Sequence, residues 1–152
     1  MIEMNEIEIV AAWRFGIELP EGIVLRNRDF SGMDLSGVQL NGKALWRSKF
    51  VGANLAGANL RGANLYEVDL RKADLQGAYF CHASFMHAKL HGADLRGANL
   101  EEADLTAADL SHVDLRESDL RGANLRGANL TLAILPDNWR ERLPRLSEKR
   151  ST

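Results

Sequence analysis

Hydrophobic positions recur in this chain with a period of five. In the stretch ANLAGANLRGANLYEVDLRKADL, residues 53–75, leucine stands at 55, 60, 65, 70 and 75. From 30 to 135 in steps of five there are 22 such central positions, and all are Leu except Phe30, Phe50, Phe80 and Phe85. A helix turns about 100° per residue, so a five-residue step of about 140° scatters these side chains around the helix. A straight strand alternates sides, so an odd period sends successive leucines to opposite faces. The pattern therefore predicts a chain that turns between units. Each unit is a short extended segment followed by a corner. The central residue and the one two places before it then share the inward side. Those earlier residues are small or compact in the stretch above: Ala53, Ala58, Ala63, Val68 and Ala73.

Units such as Ala93-Asp94-Leu95-Arg96-Gly97 and Ala98-Asn99-Leu100 resemble the A(D/N)LxG motif of pentapeptide-repeat proteins. The resemblance covers roughly residues 28 to 135. It implies an all-β fold, a right-handed quadrilateral β-helix with four pentapeptides per coil. The central Leu or Phe and the preceding small residue lie inside, and the other three residues face solvent. On that reading the 22 units make about five coils. Three segments follow: an N-terminal cap at 1–25, the repeat tower at 26–135, and a C-terminal cap with a disordered tail from Ser147 at 136–152.

Stacking one coil on the next gives columns of outer residues. The residues at 29, 49, 69, 89, 109 and 129 read Asp, Lys, Asp, Lys, Asp, Asn, an alternation of sign that favours a 20-residue coil over a 15-residue one. The column Asp34, Asn54, Asp74, Asp94, Asp114 is acidic, with Arg96 and Arg116 close enough in sequence to neutralise it. A third column holds Trp46, Tyr66 and Met86, large apolar groups at a place where polar residues are ordinary. These three are the candidate partner-binding residues, and a terminal segment folded over them is the structural alternative. Lys43 occupies a position expected to be small and inward, which predicts either a bulge or a side chain that snorkels to water.

An open β-helix must cover its ends. Residues 5–15 begin with Asn5 and Glu8, a capping-box pattern, and stop before Gly16; they predict a short helix with Ile9 and Trp13 on one side, although Glu6-Ile7-Glu8-Ile9 also allows a strand. Beyond Pro136, Trp139 and Leu143 lie four apart, as in a helical turn over the last coil. The resemblance adds a second role for them, contact with a second copy in a homodimer through the C-terminal end.

Composition narrows the function classes. Formal net charge is −2, which argues against direct binding to nucleic acid or an anionic membrane. Cys81 is the single cysteine, in keeping with a reducing compartment, and the sequence shows neither a signal-peptide pattern nor an apolar run of membrane-spanning length; the reading is a cytoplasmic protein. Cys81, His82, His87 and His91 have the residue types of a metal site, but outward residues five apart fall on adjacent faces and diverge, so no metal or cofactor is expected. No nucleophile elbow, phosphate-binding loop or paired-carboxylate cleft appears, and an enzyme is rejected. The expected function is a non-catalytic scaffold offering its outer columns to a protein partner of unknown identity. The alternative comes from the resemblance: quinolone-protection members mimic the DNA duplex and occupy the DNA site of gyrase or topoisomerase IV. Such mimicry needs an acidic surface. Residues 26–135 here hold 13 basic and 13 acidic residues, which disfavours it.

Overall fold

A computed structural model describes residues 3–142. The expectations for Leu143 and for the tail from Ser147 lie outside the described residues. From residue 29 to 134 the chain forms a ladder of parallel bridges between residues twenty apart, from Asp29↔Lys49 to Asp114↔Ile134. Four five-residue units therefore make one coil, and each side of the coil is one short extended segment. A segment of this length pairs at one outward residue and turns again, which is why the sheet is made of isolated bridges rather than long strands.

The unit Ala98-Asn99-Leu100-Glu101-Glu102 shows how its main-chain donors are used. The Ala98 amide donates to the Leu95 carbonyl across the preceding corner (3.0 Å), that of Asn99 to Ala78 in the coil before (2.9 Å), and those of Leu100 and Glu102 to Asp119 and Arg121 in the coil after (2.8 Å each). The Glu101 amide is left over. It donates to the Asn99 side-chain oxygen at 3.0 Å. The same bond recurs along the tower, as from Tyr66 to Asn64 and from Arg96 to Asp94, both at 3.1 Å. The Asp or Asn before the central residue thus satisfies the one main-chain donor per unit that the ladder cannot. Such a residue does more than face solvent.

Each corner is closed by a residue with positive φ, two places after the central one. Glycine suits this place, as at Gly97 (φ 66), where an added Cβ would meet nothing within 4 Å.

The central residues and those two before them fill the bore, and from Phe30 to Leu120 every central side chain is buried. Each such burial contributes about 1.5–3 kcal/mol before the entropy of ordering the chain is counted. Two hydroxyls share this interior: Ser48 donates to the Leu25 carbonyl (2.9 Å) and Ser118 to that of Leu115 (2.7 Å). Among the described residues no buried side-chain polar atom lacks a partner.

Helix α1, Glu6–Arg14, carries the full capping box: Glu8 donates its amide to the Asn5 side chain, and the Asn5 amide donates to the Glu8 carboxylate, both at 2.9 Å. Ile9 joins the core cluster, and the Trp13 ring lies 5.4 Å from Phe30, which stacks on Phe50 at 5.2 Å. The chain is helical here, not the strand that its local alternation also allowed. Helix α2, Trp139–Arg142, is a single turn tied back to the tower by Arg142, which donates to the Ser118 carbonyl at 3.3 Å.

The bulge considered at Lys43 is absent. Its amide donates to Leu40 (3.1 Å), its carbonyl accepts from Asn64 (2.9 Å), and the Ala44↔Asn64 bridge follows in register. The side chain is exposed instead. Lys43 belongs to the first coil, where an inward position lies at the rim, and a long stem reaches water from there. Arg28 leaves the same rim by another route, donating to the Met4 carbonyl at 2.7 Å.

Two expectations follow. Asn64→Ala should lower stability by about 1 kcal/mol in urea titration while Asn64→Asp, which keeps the acceptor, should not; equal losses would show that the acceptor is not what matters. Gly97→Ala should destabilise by about 1 kcal/mol, and Ala107→Gly, which frees an exposed residue at φ 55, should stabilise by up to a similar amount. The same sign for both would refute the left-handed corner as the cause.

Candidate functional site

The 20-residue register stacks Trp46, Tyr66 and Met86 in one column at a corner of the tower. All three are half-buried. The guanidinium carbon of Arg26, one coil above, lies 5.2 Å from the Trp46 ring centroid, and that of Arg47 lies 5.6 Å away. The Tyr66 ring meets His87 edge-on at 5.9 Å. Arg47 donates from Nε to Glu67 at 2.6 Å. That bond, with a second from the Tyr66 hydroxyl, holds the Glu67 carboxyl below its ordinary range; the Tyr66 phenol is raised by the same contact. Among the described residues, the ring and ion-pair contacts of the column come from its own and adjacent columns.

The neighbouring column carries the signal that the period-five reading missed. At the positive-φ place of this corner stand Asn27, Arg47, Glu67, His87 and Ala107, with φ between 54 and 59. Each of the other three corners has glycine at this place in its first two coils. A residue with a Cβ costs about 1–2 kcal/mol in this conformation, least for Asn. Two rows of the corner lack the side-chain acceptor as well: the residues two before Trp46 and Met86 are Ala44 and Ser84, and among the described residues no side chain accepts from either amide. Glycine's absence from the fifth place was readable in the sequence.

The other candidates separate. His82 pairs with Glu102 (3.2 Å), His87 meets Tyr66, and His91 bonds the Ser111 hydroxyl through Nδ1 (2.9 Å) and packs edge-on against His112 (5.0 Å). Cys81 is buried. The structure thus sends these side chains to different neighbours, and no group of three metal-ligating residues converges among the described residues. A shallow groove between α1 and the first coil, lined by Val10, Trp13 and Val38, is bridged by Arg14 and Asp34 at 3.4 Å. At the C-terminal end the Arg140 guanidinium lies 4.9 Å from the Trp139 ring, and Leu132 and Ile134 are exposed. No helix among the described residues is long and apolar enough to cross a membrane.

The charge ladder has the register its sequence implied. Asp29, Lys49, Asp69, Lys89, Asp109 and Asn129 bridge in succession, and Lys49 reaches Asp29 at 3.9 Å. In the acidic column Arg96 pairs with Asp94 and Arg116 with Asp114, both at 2.6 Å. The family model for pentapeptide repeats matches this periodic region over residues 29–65, 39–77, 63–101 and 98–135. The chain belongs to the pentapeptide-repeat family. No curated protein sequence matches it. Solved structures similar to this pentapeptide-repeat chain include HetL from the cyanobacterium Nostoc sp. strain PCC 7120, involved in heterocyst differentiation regulation: 26% identity, 89% of this chain and 94% of that one, TM-score 0.29. Rfr23 from the cyanobacterium Cyanothece 51142 is 22% identical over 73% of this chain and 86% of that one, TM-score 0.37. QnrB1, a plasmid-mediated fluoroquinolone resistance protein, is 18% identical over 80% and 87%, TM-score 0.45.

The aspartates of the tower set its response to acid. Asp94, Asp114 and Asp119 are held below the ordinary carboxylate range chiefly by bonds from Arg96, Arg116 and Arg121, and Asp29, Asp34 and Asp109 by the hydroxyls of Ser31, Ser36 and Ser111. At Asp69 burial works upward, and the bonds from Arg71 outweigh it. A depressed folded pKa means that the unfolded chain binds more protons. The stabilisation is therefore complete above the unfolded value near 4 and is lost as pH falls through the folded values. The urea midpoint should hold from pH 7 to about 5 and fall below about 4; a midpoint that rises on acidification would contradict these assignments.

Proposed function

We propose that this pentapeptide-repeat protein is a non-catalytic scaffold whose rigid tower presents the corner of Trp46, Tyr66 and Met86 to a protein partner. The observation that carries the reading is the coincidence, at one corner, of large apolar side chains with a run of residues kept in left-handed conformation where glycine would be less strained. Strain retained in five successive coils at this corner, against three, one and two residues at the others, supports a demand on this surface other than stability. Trp, Tyr and Met suit that demand because they bury large area on contact. We take the winding to be right-handed, with about five coils and helical covers at both ends. We assign the protein to the cytoplasm, and a contact between two copies to the C-terminal end around Trp139, Leu132 and Ile134.

The DNA-mimic reading receives no support from the surface charge. Its acidic column is interleaved with arginines, and Asp94 and Asp114 are each paired at 2.6 Å.

Trp46→Ser with Tyr66→Ser tests the scaffold. The double variant should keep the circular dichroism spectrum and urea midpoint of the parent within about 1 kcal/mol, because both side chains are only half-buried. It should also lose a stoichiometric partner that the parent captures from its host and that mass spectrometry identifies. Unfolding of the variant would assign the column to internal packing, and undiminished capture would remove it from the binding surface.

A further inference from the structure

Charge along the tower is segregated in a way its near-zero total conceals. Residues 26–65, the first two coils, hold six basic residues and two acidic ones, a net of +4. Residues 66–125, the next three coils, hold six basic and eleven acidic, a net of −5. Both acids of the upper zone are taken: Asp29 by Lys49 at 3.9 Å and Asp34 by Arg14 at 3.4 Å. Arg28 is turned to the N-terminal segment, bonding the Met4 carbonyl and lying 3.6 Å from Glu6, and Arg47 is committed to Glu67. Among the described residues this leaves Arg26, Lys43 and Arg61 in the upper zone with no carboxylate.

These three cations frame one side of the tower. Lys43 and Ala44 run into Trp46, and the coil below repeats the row from Arg61 through Asn64 to Tyr66, joined by the Ala44↔Asn64 bridge. Arg26 sits one coil above Trp46 with its guanidinium against the ring. Between them the outward residues Ala44 and Asn64 are short and exposed. The result is a flat ledge with cations around it and the aromatic corner along one side.

We propose that this ledge binds an acidic, extended protein segment carrying an apolar anchor, its carboxylates meeting Arg26, Lys43 and Arg61 and its anchor packing on Trp46 and Tyr66. The proposal rests on the scaffold reading and gives its partner a chemistry. Charge complementarity selects an acidic occupant, since cations without carboxylates are what a polyanionic partner neutralises. The size of the zone selects a short one. Two coils span about 10 Å, close to the screening length of about 8 Å at physiological salt, and the net charge reverses immediately below. A nucleic acid running down the tower would meet that negative zone, and Glu67 stands within the corner itself. A peptide side chain also uses the apolar Tyr66 and Met86 surfaces, which a phosphate does not.

The test is fluorescence anisotropy with the full chain and a short fluorescein-labelled peptide of glutamates and glycines around one phenylalanine. The wild type should bind it, should lose affinity as salt is raised, and should not bind the counterpart with lysine in place of glutamate. The variant R26A/K43A/R61A, its fold verified by circular dichroism, should bind at least about tenfold more weakly. Equal binding by that variant, equal binding of the lysine peptide, or tighter binding of a single-stranded oligothymidylate would overturn the proposal. So would failure of the acidic peptide together with a sedimentation mass of two chains that the triple variant abolishes, which would assign the ledge to a second copy's acidic N-terminal segment. The two readings fail separately: if Trp46→Ser with Tyr66→Ser loses the captured partner while R26A/K43A/R61A retains it, the corner stands and the acidic chemistry falls, whereas undiminished capture by the double variant removes the scaffold reading itself.

Discussion

The closure of one coil in twenty residues governs everything else in this molecule. An extended segment of about three residues is too short to pair with its sequence neighbour, which lies around a corner on an adjacent side. Its partners are the segments one coil before and one coil after, as Asn99 pairs with Tyr79 and with Asp119. Register and corner geometry are then one constraint. If a corner lost its left-handed residue, the next segment would leave the line of its partners, and the side chains twenty residues apart would cease to stack. Because the ladder is continuous, that local error would spread to the ion pairs and ring contacts of the column.

The same constraint decides what was legible in the sequence. The central Leu and Phe positions were plain because the bore admits only apolar side chains at that place, so the period survives without interruption. The capping box of Asn5 and Glu8 was legible because it depends on residues three apart. The alternation of Asp29, Lys49 and Asp69 was legible because it is a contact between successive coils within one column, which a 20-residue coil alone produces. The work of the Asp and Asn residues was not. As polar residues before an inward leucine they read as outer surface, and only the main-chain geometry shows that the amide at Glu101 or Tyr66 depends on them. Lys43 looked like a defect in the core because the pattern carries no mark of which coil is the rim.

At the candidate site the division is similar. Trp46, Tyr66 and Met86 stood out because large apolar groups are rare in an outer column. Arg47, Glu67 and His87 did not, since charged residues outside a solenoid are ordinary by type. Their left-handed backbone is assigned by the repeat to their position and not to their chemistry, and Lys72, His82 and Glu102 share it at other corners; what sets this corner apart is that the run begins in the first coil.

A tower of this kind has its bore filled by its own leucines, so recognition has to come from departures from the repeat. Non-glycine residues in left-handed conformation occur at all four corners, so the missing glycines alone single out none of them. Here the apolar column and two rows without the side-chain acceptor coincide with the one corner that has no glycine before Gly127, whereas the other three corners lose glycine only from the third coil on. The unpaired cations lie beside it, and the surplus of acid begins immediately below. Each departure alone is compatible with drift on a tolerant surface. Their convergence on one corner and the ledge beside it gives a direction to a rod whose repeat would otherwise make every coil equivalent, and a partner that reads both the aromatic corner and the cations can dock in one orientation and at one height.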